Sequence, residues 1–230
     1  MVWYTTVHIS FIVLKIALST NFVVQTNKAH QRANHIIRCF LSGHTSTLIR
    51  AFILYVRPIL EYNCVMWSPS LKRDIDLIER VQRRFTKRLR GLKDLSYTER
   101  LLRLNIPILE LRRLQLDLIF CYKIVFGQIC TNFDDFFTFS PSPQTRGHPC
   151  KLHKSRCTHA ARRNFFVEWV IDVWNYLQPT VNFDSLPTFR SSLKSVDFSS
   201  YLKRTVYCLG LIVLFMFSLD FNLCWWYSFV

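Results

Sequence analysis

Between residues 80 and 90 the chain carries six cationic side chains, Arg80, Arg83, Arg84, Lys87, Arg88 and Arg90, and no acid. Guanidinium and ammonium groups at that density suit one chemistry above others, the neutralisation of phosphate oxygens. Arginine brings a planar fork of N–H donors and lysine a point charge. On a helical projection of 100° per residue, with Ile78 at zero, Leu71, Ile75, Val81, Phe85 and Leu89 fall within about 60° of Ile78. Arg73 and the six cations fall between about 120° and 280° on the same projection. The spacing therefore predicts a helix over 71–90 with a core stripe on one side and a basic ridge on the other. Asp74, Asp76 and Glu79 occupy its first turns, where they complement the positive end of the helix dipole. Six like charges on one face repel each other unless a polyanion neutralises them. Arg80, Arg83, Arg84, Lys87, Arg88 and Arg90 are accordingly the candidate site for nucleic-acid backbone binding.

Other residues offer chemistry more weakly. His148, Cys150, His153, Cys157 and His159 crowd together as zinc-ligand types, but a single residue separates Cys157 from His159, tighter than the usual ligand pairs. They are read as loop residues, and no metal site is predicted. Phe165, Phe166, Trp169 and Trp174 have the faces to stack bases; at helical spacing they read as core. No Ser-His-Asp set, phosphate-binding loop or dinucleotide fingerprint occurs, so no catalytic residue and no cofactor is predicted.

The elements that would position the ridge follow from pattern. Half of the 230 residues are apolar and five are glycine, enough for a core and unlike disordered or collagenous chains. Eight irregularly spaced cysteines exclude a dense disulfide scaffold. The net charge of +15 points to a polyanionic partner, nucleic acid or an anionic membrane surface. That charge is concentrated: residues 28–113 hold eighteen Lys and Arg against seven Asp and Glu, while residues 205–230 hold only Asp220. A helix is expected over 47–60, which Pro58 bends or ends, from the recurrence of Leu48, Ile49, Phe52, Ile53, Val56 and Leu60. Tyr62–Trp67 is a short aromatic stretch closed by a Ser-Pro-Ser turn. Ser96 and Glu99 form a capping box for a short helix. Pro107 opens a long helix to about Phe126, and Gly127 stops it. Asn132–Gln144 reads as a linker. A further helix is expected over 162–178, followed by an amphipathic turn or two carrying Phe189, Leu193 and Val196.

The fold class predicted is mainly α. Its parts are an apolar N-terminal segment (1–27), a basic helical bundle (28–130), a linker (131–160), a helical extension (161–202) and an apolar tail (203–230). The N-terminal segment, with Lys15 inside its apolar run and no clear cleavage site, reads as a buried strand or helix rather than a secretory signal. The tail has the length of a spanning helix, with Lys203 and Arg204 before it and Trp225 and Trp226 near its end. Asp220 would cost about 2.5–3.5 kcal/mol near a bilayer centre.

Several strings resemble one family. Tyr55 to Tyr62, Trp67-Ser68-Pro69 and Ile78 to Lys87 resemble the region after the catalytic palm in non-LTR retrotransposon reverse transcriptases, the Jockey-like group in particular. Four more stretches follow in the family's order. They are Tyr97 to Leu101, Leu111 to Lys123, Thr145 to His148, and Arg163 to Phe166 with Trp174-Asn175. The resemblance covers about residues 28–202. It implies a thumb-like helical bundle with a C-terminal extension, gripping a duplex or RNA–DNA hybrid through its backbone with little regard for sequence. It also implies what is missing. Polymerisation uses metal ions held by palm carboxylates, and no Asp or Glu precedes Glu61. Phe133-Asp134-Asp135 looks like the family's metal motif but follows the thumb-like helices and has Asn132 in place of an aromatic, so it reads as a solvated acidic turn. The expectation is a truncated piece without polymerase activity of its own, nuclear or cytoplasmic if the tail is soluble. Two alternatives stand beside it: a small basic protein anchored in a membrane through residues 205–230, and a decayed element with no selected function.

Overall fold

The structure is a computed structural model that describes residues 23–40, 43–62, 64–65, 69, 71–141, 148–156 and 165–203. The first part of the apolar N-terminal segment, the tail from Arg204, Asn63, Met66 and Trp67 of the short aromatic stretch, and Cys157 and His159 lie outside the described residues. What is described is mainly helical, with one isolated antiparallel bridge between Phe139 and Leu152. Among the described residues no helix is long and apolar enough to cross a membrane.

Helix α1, described over 23–39, buries Thr26, Ala29, Ala33 and Ile36, a stripe at three- and four-residue steps whose small side chains allow close approach. The segment expected as one helix over 47–60 is two, α2 (Thr45–Tyr55) and α3 (Arg57–Glu61). The break falls at Val56, two residues before Pro58, because the proline ring cannot follow the carbonyl one turn earlier within a continuous helix. Helix α4 (Lys72–Lys87) buries Ile75, Ile78, Val81 and Phe85. Leu71, expected on that stripe, is instead 63 % exposed. It is the extended N-cap residue, where the helical projection no longer holds.

Helix α5 (Tyr97–Leu104) opens with the expected capping box. Glu99 N–H donates to Ser96 Oγ at 3.3 Å, and Ser96 N–H donates to Glu99 Oε2 at 2.8 Å. It closes on Asn105 in the left-handed region (φ 53°), with Ile106 N–H returning to the Leu101 carbonyl. Helix α6 (Leu109–Val125) starts two residues after Pro107 and stops at Gly127, whose φ of 62° lets Gln128 N–H reach the Lys123 carbonyl. Helices α7 (Phe166–Tyr176) and α8 (Leu186–Ser192) complete the fold.

Two apolar cores result. The first joins α1 to α5 and the start of α6, around Phe52, Phe85, Leu101 and Ile108. The second joins the rest of α6 to α7 and α8, around Leu118, Tyr122, Trp174 and Phe189. The stretch expected as a linker contributes Phe137 and Leu152 to this second core.

A polar node ties α4, α5 and α6 together. Glu79 is fully buried; one carboxylate oxygen accepts from the Tyr97 hydroxyl and the other from Leu109 N–H at 3.0 Å, the first residue of α6. Gln82 donates to the Tyr97 oxygen at 3.2 Å and to the Pro107 carbonyl at 2.9 Å. Burial pushes the Glu79 carboxyl up to about 7, against the pull of those two donors. On α6, burial pushes Asp117 up to about 8, against the pull of Arg113.

Both groups bind a proton more tightly in the folded chain than in the unfolded one. Their contribution to stability is therefore whole below their ordinary values and is lost as pH rises through about 7 and about 8. Denaturant unfolding followed from pH 5 to pH 8 is expected to show a stability that falls over this range. Glu79→Gln is expected to remove part of that fall below about pH 7, and Asp117→Asn the part extending to about pH 8. Variants whose slopes match the parent chain would show that neither carboxyl titrates in this range.

Candidate nucleic-acid interface

The buried side of α4 is wider than its apolar stripe. Beside Ile75, Ile78, Val81 and Phe85 lies a row of buried polar residues, Glu79, Gln82 and Thr86. Glu79 and Gln82 act in the node that fixes α5 and α6, and Thr86 donates back to the Arg83 carbonyl at 3.2 Å. Glu79, expected as an acid that complements the helix dipole, is an internal cap for the N-terminus of α6. With that side held by the core, the opposite side of α4 faces outward, and Arg73, Arg80, Arg84, Lys87 and Arg88 are exposed.

The six predicted site residues do not share one role. Arg80, Arg84, Lys87 and Arg88 form the exposed row on α4, and among the described residues no carboxylate pairs with any of them. Arg88 also donates to the Asn34 side chain of α1, which draws α1 alongside the ridge. Arg83 departs from the expectation of a free cation. It is half-buried, with its guanidinium carbon 5.1 Å from the centre of the Tyr97 ring. Arg100 approaches the same ring at 5.6 Å. Tyr97 is itself fixed by Glu79 and Gln82, so Arg83 is held by a cation–π contact on a rigid ring. Arg90 lies beyond the end of α4 and is exposed; its guanidinium rests against Gly43, where a Cβ would come within 2.9 Å.

Other cations of the basic region are used inside the fold. Arg112 donates to Glu61 at 2.7 Å, and Arg57 lies 3.8 Å from the same carboxylate. Burial, then the neighbouring Arg112, lowers Arg57 to about 10. Arg113, also buried, donates to the Leu60 carbonyl at 2.7 Å. These contacts fasten α3 to α6; besides Arg90, exposed cations of the region lie on α4, on α1 (Lys28, Arg32 and Arg38), and singly at Arg50, Lys93 and Arg103.

The weaker candidates take structural places. The buried His148 Nε2 lies 2.8 Å from the Trp174 carbonyl, and the Trp174 indole donates to the Cys150 carbonyl at 2.7 Å. Among the described residues, no group of three or more His, Cys, Asp or Glu side chains converges to hold a metal. Asp134 and Asp135 are exposed on a single 3-10 turn. Trp174 is fully buried, and Phe166 packs edge-on against Phe120 at 5.5 Å. Phe165, by contrast, is 38 % exposed.

No family model matches this chain, and no solved structure matches it. The uncharacterized protein B0403.1 of Caenorhabditis elegans is 25 % identical over 121 residues, which is 51 % of this chain and 61 % of that protein.

The two kinds of arginine on α4 are separable by stability. Arg83→Ala is expected to lower the unfolding free energy by about 1 kcal/mol, through loss of the ring contact and of the aliphatic stem against the fold. Arg84→Ala, on the exposed row, is expected to change it by less than about 0.5 kcal/mol. Equal losses in urea titrations of the two variants would contradict the different placements.

Proposed function

We propose that this chain is a nucleic-acid-binding piece of a non-LTR retrotransposon reverse transcriptase of the Jockey-like kind, holding a duplex or RNA–DNA hybrid by its sugar-phosphate backbone. The observation that carries the reading is the exposed row Arg80, Arg84, Lys87 and Arg88, with no carboxylate paired to it among the described residues and a packed face behind it. Cations on a rigid rod at one-turn steps match a polyanion strand and carry no means of reading base edges, so binding is tolerant of sequence.

A second observation supports the family reading. The strings that resemble the family are joined to one another in space. Ile78–Lys87 meets Tyr97–Leu101 through Glu79, Gln82 and Tyr97. Tyr55–Tyr62 meets Leu111–Lys123 through Glu61 with Arg112 and through the Leu60 carbonyl with Arg113. The His148 string meets Trp174-Asn175 at the Trp174 carbonyl. Residues with that degree of mutual constraint are what a shared fold would preserve. The role proposed for these residues is grip on the backbone.

Fluorescence anisotropy with a 20-base-pair duplex of arbitrary sequence, and with the matching RNA–DNA hybrid, tests this. The logarithm of the binding constant is expected to fall linearly with the logarithm of salt, by about 0.9 for each phosphate engaged. Replacing Arg80, Arg84, Lys87 and Arg88 by Glu is expected to weaken binding at least about a hundredfold at moderate salt while leaving the helical circular dichroism intact. Binding that survives the four reversals, or that ignores salt, would overturn the proposal.

A further inference from the structure

His30 projects from α1 toward the ridge. It is half-buried, and its position follows from the contact one turn further on, where Arg88 donates to Asn34. Stepping back four residues on each helix brings His30 to Arg84, and another four on α4 brings Arg80 into range. The same two guanidiniums are the charges that act on the imidazole, so α1 and α4 run side by side in the same direction. On its own helix the nearest ionisable side chains are Lys28, Arg32 and His35, all exposed. Burial first, then Arg84 and Arg80, hold the imidazole below the usual histidine range. In the free protein the neutral imidazole is therefore favoured.

A phosphate strand lying on Arg80 and Arg84 reverses two of those three causes. It neutralises the guanidiniums and brings anionic oxygens of its own. We propose that His30 is a proton-linked member of the polyanion site, taking up one proton from solvent when phosphates occupy Arg80 and Arg84, so that the ridge grips polyanions more tightly as pH falls. The inference rests on the reading of α4 as a phosphate-binding face. The only bond formed is N–H on the imidazole, which then donates from both nitrogens and adds a further cation to the site.

Two-dimensional NMR titration of the His30 imidazole in the full chain, with and without a 20-base-pair duplex, tests the coupling. Its midpoint is expected to lie below 6.5 in the free chain and to rise when duplex is added. It is also expected to rise, with no duplex present, in the Arg80→Gln/Arg84→Gln variant. Duplex affinity is expected to strengthen from pH 7.5 to pH 6, by at most about tenfold per pH unit for one proton, and His30→Gln is expected to flatten that dependence. A duplex that binds without moving the His30 midpoint would overturn this inference and leave phosphate binding standing. A duplex that fails to bind the parent chain would remove the phosphate-binding reading and this inference with it. A midpoint unmoved in the double variant would show that Arg80 and Arg84 do not act on His30.

Discussion

A carboxylate removed from water has to find its donors inside the protein, and Glu79 finds them on two other helices. The Tyr97 hydroxyl comes from the first turn of α5 and the Leu109 N–H from the first turn of α6. Each satisfies a need on its own side as well: the hydroxyl is buried with Gln82 beside it, and a helix N-terminus has amide groups with no partner in the helix. The node has little freedom. Rotating α4 by one residue would carry Glu79 about 100° away from both donors and leave three polar groups unpaired, at about 1–3 kcal/mol each. The outward direction of Arg80, Arg84, Lys87 and Arg88 is thus set from the inside, by a residue that never meets a ligand.

The same logic explains why a strongly basic region has only part of its charge on the surface. Glu61 holds Arg57 and Arg112, and the Leu60 carbonyl holds Arg113, so three guanidiniums at the junction of α3 and α6 are committed to the fold. Buried ion pairs of this sort add little net stability over well-packed apolar groups, and breaking one partner is far more costly than never having had the pair. Their effect is to fix how α3 meets α6. Because α6 enters both cores, that junction also relates the first core to the second.

The sequence made some of this legible and hid the rest for identifiable reasons. The stripe of Ile75, Ile78, Val81 and Phe85 was readable because a 3.6-residue period is what burial on one side of a helix demands. The capping box at Ser96 and the stop at Gly127 were readable because they depend on residues within a turn of each other. Leu71 and Arg90 were misplaced on the projection because both lie outside the residues with helical geometry. The inner contacts of Glu79 and Arg83 were not legible because the aromatic ring and helix end that receive them lie on other helices. On the projection Glu79 falls at about 100°, between the apolar stripe and the first of the cations, so the period alone did not decide its burial.

The string Ile78 to Lys87 serves both the resemblance to a reverse transcriptase region and the case for phosphate binding, but the structure constrains its residues in two different ways. Glu79, Gln82, Tyr97, Glu61, Arg112 and His148 each have a specific partner at hydrogen-bond distance, so geometry constrains the identity of each. Arg80, Arg84 and Lys87 carry the proposed grip and are constrained only by charge and by the direction in which α4 points. A backbone phosphate asks for no more than that, because its contacts position a duplex without reading it. A protein that preserves the inner set keeps the ridge aimed, and the outer set can then exchange arginine for lysine with little consequence for the fold. Arg83 belongs to the inner set despite its place in the run of cations, because the ring beneath it distinguishes a stacked guanidinium from an ammonium.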